Sequence, residues 1–94
     1  MKIFWSDQSR KDLHAIKRYI AEGSEFYAEQ MVQNIIFRVG MVADRTTIGH
    51  RVHEYPERPL LEIHEDPYRI IYKRTPGRVK VVTIVHFRKR LILK

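Results

Sequence analysis

Apolar residues recur with a helical period in the first half of the chain and with the two-residue period of strands in the second. Lys2 to Trp5 is a short aromatic and β-branched run that predicts a first strand. Ser6 follows it as a side chain able to cap a helix starting at Asp7. From there Leu13, Ile16 and Ile20 lie at helical spacing, flanked by Ala15 and Tyr19, while Arg10, Lys11, Lys17 and Arg18 fall elsewhere, so a helix over 7–21 is predicted. Gly23 stops it, and Ser24 with Glu25 marks a second N-terminus, with an anionic side chain near the positive end of the helix. This second helix, over 25–44, collects Ala28, Met31, Val32, Ile35, Val39 and Val42 on one face as a full core stripe. Phe26, Phe37 and Met41 project away from Ile35, where a solvent-facing helix normally carries charge. They form a candidate partner surface; the ordinary alternative is scattered apolar exposure.

After Asp44 the pattern changes to short strands. Val52 to Tyr55 reads as extended, Pro56 and Pro59 bracket an irregular stretch, and Leu60 to His64 reads as a strand ended by Glu65-Asp66-Pro67. Tyr68 to Arg74 is the next strand, and Thr75-Pro76-Gly77-Arg78 has the residues of a type II turn, with proline second and glycine third. Val79 to Phe87 then returns antiparallel. Val79, Val81, Thr83 and Val85 face one way and Val82 and Ile84 the other, so the strand meets apolar material on both faces and is expected in the sheet interior. His86 and Arg88 share the Val82 and Ile84 side of that alternation. The order strand, two helices, three strands predicts an α+β domain in two layers. No repeat or linker divides residues 1–94, so a single domain is expected.

Composition narrows the setting. The 94 residues include no cysteine, which excludes disulfides and thiolate metal sites and suits a reducing cytosol. No N-terminal apolar stretch resembles a signal peptide, and no run approaches the roughly 18–20 residues that span a bilayer, so a cytoplasmic protein without a membrane partner is expected. The net charge of +7 is unevenly placed: residues 1–66 carry nine Lys/Arg and all eleven Asp/Glu, whereas residues 67–94 carry nine Lys/Arg and no acid. That asymmetry points to an anionic partner, either nucleic acid or an acidic protein segment, against the plainer reading of a solvated basic face.

Four stretches together resemble a known family. Asp12-Leu13 with Ile16 and Tyr19-Ile20, then Gly49-His50-Arg51-Val52 leading to Glu54, then Tyr68-Arg69-Ile70-Ile71-Tyr72, and finally Val85-His86-Phe87-Arg88 occur in the order and spacing of the RelE/ParE toxins. The stretches from Gly49 to Glu54, Tyr68 to Tyr72 and Val85 to Arg90 are similar to those of the ParE-type toxins of type II toxin-antitoxin systems. The resemblance implies an α-helical hairpin packed on a twisted antiparallel sheet. It also implies inhibition of DNA gyrase by binding, with growth arrest and plasmid stabilisation as its consequences and no cofactor. A cognate antitoxin, whose acidic, amphipathic C-terminal segment folds onto the toxin, would neutralise it. The chain ends at Lys94, soon after Arg88-Lys89-Arg90, which leaves little room for the C-terminal helix of some relatives.

Two alternatives stay open. Metal-independent RNA cleavage needs a base, a cation for the phosphorane and an acid. Glu54, Arg69 and His86 stand in the order in which some RNA-cleaving relatives carry a Glu, Arg and His set, which would make the chain a ribosome-dependent mRNA endonuclease. A non-toxic basic binding adaptor is the second. On the gyrase reading the target-binding candidates are Arg69, His86, Arg88, Lys89 and Arg90, and the antitoxin-binding candidates are Phe26, Phe37, Met41, Arg78 and Lys80. Each has a plainer role: Arg69 pairing with Glu62 or Glu65, His86 bonding locally at a strand end, and Tyr68, Tyr72 and Trp5 packing in the core rather than stacking on bases. His50, His53 and His64 with Glu54 and Glu62 match no zinc spacing, so no metal is expected.

Overall fold

Strand β1 (Lys2–Trp5), helices α1 (Asp7–Ala21) and α2 (Glu25–Ala43), and strands β2 (His50–Arg51), β3 (Leu60–Glu65), β4 (Tyr68–Thr75) and β5 (Arg78–His86) follow one another in a computed structural model that describes residues 1–93. Both helices begin at the serines that the sequence offers as caps. Ser6 accepts the Ser9 amide and Ser24 the Tyr27 amide, satisfying donors that a first helical turn leaves free. Helix α2 closes one residue short of the expected end, because Arg45 adopts a left-handed φ of 64° and the Thr46 amide turns back onto the Met41 carbonyl.

The strands lie in the order β1-β5-β4-β3-β2. Neighbours from β2 to β5 are antiparallel, and Gly77, at φ 74°, supplies the positive dihedral that the third residue of the β4–β5 turn requires. Strand β1 joins β5 in parallel, so the sheet is mixed rather than antiparallel throughout. The helical hairpin is the crossover that makes this pairing possible. Between Arg51 and Leu60 the expectation needs correcting: β2 is His50–Arg51, opposite Glu62 and Leu61, not Val52 to Tyr55. The Val52 amide makes one more bond, to the Leu60 carbonyl, and the chain then turns towards Pro56.

A second correction concerns β5. Arg78 to Val81 pair with Thr75 to Tyr72, but beyond that Thr83 faces Ile71 and His86 faces Tyr68, leaving Val82 as an extra residue in a bulge. The simple alternation therefore breaks. Val79, Val81 and Ile84 join the helix-side core with Ile16, Ile35, Val39, Ile63, Ile70 and Tyr72, whereas Val82 and Val85 pack on the opposite face. On that second face Val52, Leu60, Ile71 and Leu91 form a small core of their own, closed by Tyr55 and Leu93. The Tyr55 hydroxyl accepts the Leu93 amide at 2.9 Å, so the C-terminal tail folds back as coil and not as a helix.

Strand β1 reaches only as far as Val81 along β5. Past it, the Asp12 carboxylate of α1 accepts the Ile84 amide at 2.9 Å and the Thr83 hydroxyl, tying helix to strand. Among the described residues no helix is long and apolar enough to cross a membrane.

Candidate functional site

Alternation along β4 sends Tyr68, Ile70 and Tyr72 towards the helices and Arg69 and Ile71 to the second face. Arg69 is buried there between two carboxylates. Its Nη1 and Nη2 donate to Glu54 at 2.6 and 2.9 Å, and its Nε and Nη2 donate to Glu62 at 3.1 and 2.6 Å. Glu62 sits on β3, two residues from His64, the partner of Arg69, while Glu54 arrives from the loop after β2. His64 Nε2 lies 2.6 Å from the same Glu62 carboxylate, and Phe87 packs edge-on against the His64 ring. The hydrogen bonds from Arg69 hold the Glu54 carboxyl below the usual carboxylate range. Burial pushes Glu62 up, but the bonds from Arg69 and His64 outweigh it and leave it lowered. In turn Glu54 and Glu62 raise the already high pKa of Arg69, so the guanidinium is a fixed cation whose charge is matched locally.

His86 lies elsewhere. It stands opposite Tyr68, and its ring packs at right angles to the Tyr68 ring with centroids 5.6 Å apart, on the helix side of the sheet. Its Nδ1 accepts the Arg88 amide at 3.0 Å, the local bond expected of a histidine at a strand end. Glu54 and Arg69 are therefore brought together, and His86 is separated from them by the thickness of the sheet. The bulge at Val82 is the cause. Unbroken pairing from the Thr75–Arg78 turn would set His86 on the face of Arg69; one extra residue transfers it to the face of Tyr68. His64 and Phe87 are the aromatic neighbours of the ion cluster, a placement that the residue pattern did not predict, although Glu62 and His64 at alternate positions of one strand were the available signal.

The basic residues divide between two surfaces. Arg88, Lys89 and Arg90 are exposed in the turn after β5 and border a groove of about 740 Å³ floored by Ala15, Ile16, Met31 and Ile84. Tyr19, Tyr68 and His86 also line that groove. Arg78 and Lys80 are exposed at the far end of β5. On α2, Phe26 and Phe37 are 71% and 68% exposed, while Met41 is half-buried at the margin of the stripe. Of the five target-binding candidates, Arg69 is thus committed to its carboxylates, and His86 with Arg88 to Arg90 remains accessible at one groove. Among the described residues no three His, Asp or Glu side chains converge as metal ligands.

This arrangement, a helical hairpin on a mixed five-stranded sheet, is the fold of ParE-like toxins. A chain described as "Chromosomal ParDE TA system from P. aeruginosa" superposes with a TM-score of 0.70 over 92% of this chain and 95% of its own, at 17% identity. The family model for the ParE toxin of the type II toxin-antitoxin system, parDE, matches residues 3–91. The chain belongs to that family. Comparison with curated protein sequences finds no match.

Proposed function

We propose that this ParE toxin acts in the cytoplasm by binding DNA gyrase and inhibiting it, with His86 and the Arg88 to Arg90 cluster as the contact surface. The observation that carries the reading is the separation of Arg69 from His86. An RNA-cleaving centre needs a cation free to meet the developing charge and an acid beside it. Here the cation is saturated by Glu54 and Glu62, and the histidine lies across the sheet. What remains accessible is a cationic rim beside an apolar groove, a surface suited to holding a partner.

The test sets purified toxin against gyrase supercoiling and against ribosome-dependent mRNA cleavage. Supercoiling stops at toxin excess, and joint replacement of Arg88, Lys89 and Arg90 by glutamine weakens inhibition roughly tenfold, the equivalent of one lost charge-assisted contact. Active gyrase together with mRNA cut in the ribosomal A site overturns the proposal.

A toxin of a parDE system has an antitoxin partner. The acidic, amphipathic C-terminal segment proposed for it covers Phe26, Phe37 and Met41 with apolar side chains and meets Arg78 and Lys80 with carboxylates. Amide exchange on the complex shows added protection in α2 and in residues 78–86; protection confined to loops rules this placement out.

A further inference from the structure

We infer that the second face of the sheet carries a site for the phosphodiester backbone of DNA, centred on Lys73 and Lys80. These two lysines stand directly opposite each other on β4 and β5. Like charges so placed repel and weaken strand pairing, so the sequence carries a local cost that an anion across the pair would remove. The pair belongs to a row running over four strands, from Phe4 through Lys80 and Lys73 to Leu60. A guanidinium lies over an aromatic ring at either end, Arg78 over Phe4 at 5.4 Å and Arg58 over Tyr55 at 5.0 Å.

Between them lies a cleft of about 770 Å³, floored by Leu60, Val82 and Leu93 and lined by Arg58, Lys73 and Lys80, with no carboxylate among the described residues of its walls. Among the described residues none of these four cations forms an ion pair, whereas Lys17, Arg38 and Arg69 all do. The row spans about 14 Å at the ordinary strand spacing of about 4.8 Å. That length takes several consecutive phosphates of a strand, whose charges lie ~3.4 Å apart along the axis of a duplex. Guanidinium planes resting on rings offer flat surfaces to bases, which a peptide carboxylate does not use. The choice of DNA rests on the gyrase reading, since a toxin seated on that enzyme lies beside its DNA. Arg78 and Lys80 are shared with the surface given to the antitoxin, so the two ligands exclude each other.

The experiment measures fluorescence anisotropy of a labelled 12-nucleotide single-stranded DNA with the full chain, in the absence of gyrase. Binding is expected at 50 mM salt, with log Kobs falling against log salt at a slope of about −2, as for three neutralised phosphates. Lys73→Glu turns the repelling pair into an attracting one. It is expected to raise the thermal midpoint while weakening DNA binding at least tenfold. Lys11→Gln with Arg18→Gln changes net charge equally on exposed α1 positions and leaves affinity within about twofold. A merely solvated basic face would give Lys73→Glu the higher midpoint without the selective loss. The site is overturned by absent binding, by equal loss in both variants, by a polyglutamate of equal charge displacing the DNA as readily, or by tenfold tighter binding of the matching RNA. Gyrase that resists a toxin still able to bind DNA would instead remove the target reading and leave this site standing.

Discussion

Replacing Arg69 by methionine is expected to lower the free energy of unfolding by about 3–5 kcal/mol at pH 7, because it leaves Glu62 buried and Glu54 beside it with no cation between them. For a chain of this size that is about a fifth or more of a total stability of about 5–14 kcal/mol. The loss depends on pH in a defined direction. Both carboxyls are held below their ordinary range in the fold, Glu54 by the hydrogen bonds of Arg69, and Glu62 by those of Arg69 and His64 against the opposing push of burial. A group lowered in this way adds stability that is complete above its unfolded pKa, about 4.3, and that disappears as pH falls through the folded value. The parent chain therefore weakens below about pH 4, whereas the methionine variant gains from protonating two carboxylates that repel. Urea titrations at pH 7 and pH 4 should show the gap narrowing. Adding Glu62→Met restores at least half of the loss, since an apolar replacement of a buried pair is cheaper than a broken one. A gap under 1 kcal/mol at pH 7 would mean that the cluster is not what holds this face together.

Gly49→Ala is the second large effect. A Cβ at Gly49 would come within 2.6 Å of both the Glu62 carbonyl oxygen and the Tyr72 hydroxyl, and the Gly49 amide donates to that hydroxyl at 2.9 Å. Backbone cannot yield as a flexible side chain does, so β2 must shift and the buried Tyr72 hydroxyl loses its partner. Overpacking and the lost bond together cost about 2–4 kcal/mol. Gly40→Ala is the control: nothing lies within 4 Å of its added methyl, and inside α2 alanine is the better helix former, by about 0.5–1 kcal/mol. Opposite signs in calorimetry confirm the local geometry, and similar midpoints for both variants refute it.

Much of this was legible in the residues because it is local. Ser6 and Ser24 announce their helices, Pro76-Gly77 announces its turn, and the α2 stripe reads directly as core, with Ala28, Ile35, Val39 and Val42 all buried. The mixed sheet was not legible, since nothing in Lys2 to Trp5 says which way a strand will pair more than seventy residues later. Nor was the site. That Arg69 meets Glu62 follows from adjacent strands and was among the open readings, but Glu54 comes from a loop whose path no periodicity describes. The face of His86 depends on one unpaired residue, Val82, in a run of alternating valines that hides the interruption. A bulge changes the count by one, and a count of one decides whether three side chains meet.

Asp12 has a further consequence at the sheet edge. Beyond Val81, β5 is an open strand border that another chain could extend, and such borders are where folded proteins begin to aggregate. A carboxylate already holds the Ile84 amide there, so an approaching strand meets a negative charge in place of a free donor. One side chain thus both anchors the helical hairpin and occupies a donor through which a second copy would have to pair edge to edge.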